Sequence, residues 1–137
     1  MAVKHALPRA APRYALAAIR VFNGATGLLA PELLIRRLDP DRAPQSPAAV
    51  YAFRLFGIRT VLLGLDLLTH RGERLREDLH DAVLIHAADT TTAALLGLSG
   101  RLPPRTAILT TLISATNTAL AVTAGLPPTN PSKGRRT

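Results

Sequence analysis

Four stretches of this chain run apolar for about 20 residues each, the length that carries a helix across the ~30 Å hydrocarbon layer of a bilayer. They extend from Arg13 to Leu38, from Pro47 to Thr69, from Arg76 to Ser99 and from Pro104 to Gly125, and each is bounded by Pro, Gly or a cluster of charges. The segments are rich in Ala and Leu and show no sustained alternation of apolar and polar residues, so they read as helices rather than strands. Pro47 after Ser46 suits the first turn of a helix with Ser as N-cap, and the acids that open the third segment suit a helix N-terminus. The fold class that follows is all-α: a four-helix transmembrane bundle, antiparallel in up-down-up-down order.

Only the fourth segment is free of charge beyond its first turn, with no charged side chain from Thr106 to Ser132. The others enclose Arg20, Arg54, Arg59, Asp66 and Asp89. A lone charge at the bilayer centre costs ~2.5 to 3.5 kcal/mol on insertion scales, so these five are expected to face one another inside the bundle. Helical periodicity gives each segment a polar or small face. Arg20, Gly24, Gly27 and Pro31 form one stripe, with Asn23 beside it. Arg59 and Asp66 share a direction near Gly64, as do Asp78, Asp81, Ile85 and Asp89, with His86 adjoining. Thr110, Ser114, Asn117, Ala121 and Ala124 line the last helix. Small residues let helix backbones approach in lipid, so the glycines and hydroxyls read as packing. The candidate binding residues are Arg20, Asn23, Arg54, Arg59, Asp66, His86, Asp89 and Asn117; no catalytic residue is assigned.

The formal charge is +8, from fifteen Arg and two Lys against nine acids. These cations fall in clusters between apolar stretches instead of along one face, and only five aromatic residues are available to stack bases, so no nucleic-acid partner is expected. Counted by segment ends, nine cations (Lys4, Arg9, Arg13; Arg71, Arg74, Arg76; Lys133, Arg135, Arg136) oppose five (Arg36, Arg37, Arg42, Arg101, Arg105). That bias places both termini in the cytoplasm and the protein in the cell membrane as a multi-pass chain. The domain plan is an N-terminal cytoplasmic segment 1–12, a membrane domain 13–125 and a flexible basic tail 126–137. Arg20 interrupts the first apolar run and no A-x-A-like site follows it, so that run is retained as a helix and is not a cleaved leader.

With no Cys, thiolate chemistry and Cys-ligated metals are excluded. His80 and His86 are six apart and point to opposite sides of a helix, and no Glu-x-x-His pair supports a metal; none is expected, nor any cofactor. Nucleotide-binding and hydrolase motifs are absent. The stretches RVFNGATGLLAP (residues 20–31), RLFGIRTVLLGLDLLT (54–69) and HAADTTTAAL (86–95) give the chain a resemblance to a family of small bacterial four-helix integral membrane proteins without assigned activity, and a distant one to DoxX-type proteins. The resemblance implies a four-helix membrane fold and transfers no site residue. The expected function is an accessory, carrier or sensor protein that binds a small polar, anionic or lipid ligand between its helices. Its partners are the bilayer, that ligand, and a further copy or a larger membrane complex. The alternatives are a membrane enzyme using an intramembrane Asp as acid/base, and a peripheral or soluble helical bundle.

Overall fold

Proline decides where most of these helices begin. Lacking an N–H and fixed near the helical φ, it fits the first turn and disfavours a helical residue before it. The computed structural model describes residues 10–40 and 46–126, and among them the chain forms five α-helices and no strand: α1 (Ala11–Leu29), α2 (Pro31–Leu38), α3 (Pro47–Thr69), α4 (Gly72–Leu98) and α5 (Pro104–Gly125). All except α4 carry Pro in the first two positions. Ser46 holds the N-cap position of α3, but its side chain makes no capping bond. The cations Lys4, Arg9, Arg42, Lys133, Arg135 and Arg136, and most of segments 1–12 and 126–137, lie outside the described residues.

The single helix expected over 13–38 is two. Ala30 leaves helical geometry, its N–H bonds the Thr26 carbonyl at 2.9 Å, and Pro31 restarts the chain at 99° to α1. Arg36 and Arg37 in the last turn of α2 complement the negative end of its dipole, and the Thr106 hydroxyl donates to the Arg37 carbonyl at 3.2 Å, tying α2 to the start of α5. The helix expected over 76–99 is α4 and starts at Gly72, ahead of Arg76. The helical run adds the charged turn GERL, residues 72–75, which the expected segment did not reach.

α3 and α5 are each long and apolar enough to cross a membrane, and α1 with α2 makes a third such element if the bent pair counts as one. α4 is long, but Glu73, Asp78, Asp81 and Asp89 lower its apolar character. Leu29, Tyr51, Leu62, Leu84, Ile108 and Leu112 are among the large side chains left on the outside, while the buried side chains, apart from Leu16, Ile35, Leu67 and Leu79, are small or polar. An apolar exterior with small residues at the helix contacts is compatible with a membrane protein.

Packing is strongest within two pairs, α1 with α3 and α4 with α5, and α1 also packs on α5; α3 and α4 meet sparsely. In the first pair a Cβ on Gly24 would lie 2.7 Å from the Gly57 carbonyl oxygen, and one on Gly57 would collide with the Leu28 N–H. In the second, a Cβ on Gly97 would lie 2.5 Å from that of Ala107. Leu16, Ala17, Leu67, Leu79, Ala82 and Ala121 close a buried core where the first residues of α1 and α4 meet the last residues of α3 and α5.

At that end Arg13 donates from Nε to the Leu67 carbonyl and from Nη2 to those of Leu68 and His70, satisfying carbonyls that the end of α3 leaves open. Beside it the His70 imidazole lies 2.7 Å from Asp78 and 3.7 Å from Asp66. Arg13→Ala is expected to lower unfolding stability by about 1 to 2 kcal/mol, measured by thermal melting in detergent. Arg71→Ala, an exposed neighbour, should leave the melt unchanged. Equal melts for both variants would show that the cap carries no weight.

Candidate functional site

Away from the core, the two helix pairs diverge and enclose a cavity of about 390 Å³. Leu34, Phe53, Phe56, Leu63, Ile85 and Ile113 supply much of its apolar wall, and the turned α2 contributes Arg37 and Leu38. The size falls within the ~300 to 1,000 Å³ span of small-molecule sites, and a mainly apolar wall with a few convergent polar groups is the usual form of one.

Five of the eight sequence candidates line this cavity: Arg20, Asn23, His86, Asp89 and Asn117. Arg20 is 2% exposed and is held in place by its Nε, which donates to His86 Nε2 at 3.2 Å; a longer bond runs from Nη1 to the Leu63 carbonyl at 3.5 Å. Because Nε2 accepts that bond, the neutral ring carries its proton on Nδ1, which lies 3.7 Å from the Asp89 carboxylate. His86 is 7% exposed, whereas the Asp89 side chain is 53% exposed, so the row of Arg20, His86 and Asp89 runs from the buried interior to the rim.

Arg20 has no carboxylate within salt-bridge distance among the described residues. Its Nη2 is buried without a hydrogen-bond partner, and so is Oδ1 of Asn117, itself 6% exposed. Asp66, Asp78, Asp89 and Arg59 act on the guanidinium only through longer-range fields. A buried charge normally has a partner, and leaving one of its N–H groups unmet is costly. The cavity therefore presents an unmet cationic donor and, on another part of its lining, an unmet amide oxygen that accepts.

The remaining candidates lie elsewhere. Arg54 and Arg59 are exposed on α3 and neither lines the cavity. Asp66 sits with His70 near the end of α3, beyond the cavity. The helix rotates so that Gly57, Gly64 and Leu67 are buried, and the close approach to α1 fixes that rotation. Arg37, Thr60, Thr92, Thr110 and Ser114 also reach the cavity, and the sequence reading assigned none of them to the site. Pro31 was the available signal for Arg37, because a break there turns the following residues back over the bundle. Thr90 and Thr91 return their hydroxyls to the carbonyls of His86 and Ala87, an internal satisfaction common in apolar helices.

No group of three or more His, Cys, Asp or Glu side chains among the described residues is arranged to hold a metal ion. Comparison of the chain with protein-family models, curated proteins and solved structures finds no match.

Proposed function

We propose that this chain is a multi-pass protein of the cell membrane that binds, between its helices, a small molecule with an apolar body and an anionic or hydrogen-bond-accepting head. It acts as a carrier, sensor or accessory subunit. The observation that carries this reading is the buried Arg20 guanidinium, in contact with no carboxylate among the described residues, with a free N–H in a largely apolar cavity. A charge in that setting is a standing liability to the fold unless an anion meets it.

The bilayer arrangement in this proposal has four antiparallel spans with both termini cytoplasmic. It is supported by the junction of α3 and α4 lying against the start of α1, and by Arg37 of α2 meeting the start of α5. The cation bias of the sequence supplies the orientation. Arg54, eight residues into α3, snorkels to the headgroups.

Two measurements test the proposal. The expressed protein should stay in the membrane pellet through an alkaline carbonate wash and leave only with detergent; release by carbonate overturns the spanning arrangement. The purified protein should melt later with decanoate than with decanol, because only the carboxylate satisfies Arg20. At a hundred times its Kd, decanoate should stabilise by about 2.7 kcal/mol. Equal effects of acid and alcohol, or none from either, would remove Arg20 as the anchor.

A further inference from the structure

We infer that the cavity opens sideways to the bilayer through the seam between α3 and α4, and that its ligand is a single-chain anionic amphiphile whose head rests on Arg20 and whose tail leaves between those two helices. This rests on the binding role proposed above and adds the ligand's shape and its route.

The seam follows from which helices pack. α1 joins α3, α5 joins α4, and α1 joins α5, so three sides of the cavity are closed by helix contact; α3 and α4 meet only sparsely. One end is closed by the buried core and the other by α2. The exposure of the lining fits the same opening: Arg20, His86 and Asn117 at the back are buried, while Phe56 of α3 and Asp89 and Thr92 of α4 are exposed. Arg59 of α3 lies within electrostatic reach of Asp89 of α4, across the same seam, without an ion pair between them.

An opening of this kind sets the ligand's shape. The anionic head needs the deep end, where the buried Nη2 of Arg20 is a donor without a partner. The wall between there and the seam is apolar, with Phe56 and Ile85 along it. A tail longer than the cavity therefore continues into lipid, a solvent as apolar as the wall, and its length is not limited by the enclosed volume.

The chain has neither Cys nor Trp, so reporters can be introduced singly. The first experiment places R59C on α3 and A88C, the exposed neighbour of Asp89 outside the cavity lining, on α4 and joins them with a short bismaleimide in nanodiscs, each affinity expressed against ligand mole fraction in the bilayer. Unbridged, the double variant should bind decanoate and hexadecanoate comparably. Bridged, it should lose about tenfold or more in hexadecanoate affinity while decanoate changes little. An unchanged hexadecanoate affinity after bridging overturns the lateral route and leaves the binding role standing, as does wild-type protein that binds decanoate but rejects hexadecanoate. Failure of both acids to bind wild-type protein overturns the route and the binding role together. Should the bridged protein not fold, F56W gives a second reading: a nitroxide on the tail of hexadecanoate should quench Trp at the seam more strongly than at F22W, on the outer face of α1. Equal quenching at the two positions overturns the proposal.

Discussion

Gly57→Leu is expected to eliminate the folded protein: after detergent extraction it should elute as aggregate, with no cooperative melt. The cause is local to the α1–α3 contact. A Cβ at position 57 would meet the Leu28 N–H, the Gly24 carbonyl oxygen at 2.6 Å and the Gly27 carbonyl carbon at 2.8 Å. Each obstacle is backbone, which cannot rotate aside as a side chain can, so a larger residue must push the helices apart along their whole seam. Overpacking of a close-packed contact costs about 1 to 3 kcal/mol. Gly57→Ala should fall in that range and melt several degrees early, while the longer Leu exceeds what the pair can absorb. Gly125→Ala, with nothing within 4 Å of its added carbon, is the matched control and should behave as wild type. A monodisperse Gly57→Leu protein with a normal melt would mean that the α1–α3 contact is not what holds the bundle together.

The second large effect separates binding from stability at one residue. Arg20→Met should leave the melting temperature of the ligand-free protein nearly unchanged, within about 1 kcal/mol, because relief of a buried charge offsets the lost bond to His86. The same variant should lose binding of an anionic amphiphile by about 10- to 150-fold, the value of a hydrogen bond to a charged group at ~1.5 to 3 kcal/mol. Arg20→Lys should keep part of that affinity, since it retains a charge but loses the planar fork and, with it, the orientation set by His86. If Arg20 instead holds the helices together, Arg20→Met will destabilise the ligand-free protein by several kcal/mol. The melt and the binding curve, taken together, distinguish the two roles.

Much of the helical layout was legible because Ala/Leu runs with terminal prolines leave few alternatives. The stripe of Arg20, Gly24, Gly27 and Pro31 is buried at all four positions, and Ser114, Asn117 and Ala121 are buried on α5. Those stripes were readable because small residues mark where backbones approach. α4 differs. Its buried positions are Leu79, Ala82, His86 and Ala93, turned from the acidic line of Asp78, Asp81 and Asp89 that the sequence suggested, because the acids here serve the helix end and the rim. On α3 the charges Arg59 and Asp66 pointed to one face, and the glycines chose another. Periodicity gives the faces of a helix, but only contact with a neighbour decides which face turns inward. The bend at Ala30 was hidden for a related reason: LLAPELL is apolar on both sides of its proline, so hydropathy runs smoothly through a right-angle turn.

The division into two pairs also bears on how the molecule is made. Each pair joins segments close in the sequence, α1 with α3 across the short α2, and α4 with α5 across a brief turn. A chain emerging from its N-terminus has the first pair complete before α4 exists, and the glycine contacts that bind it need nothing from later residues. The order of synthesis therefore matches the order of packing. The Arg20 pocket, lined from both pairs and tied across them by the bond to His86, needs both pairs in place.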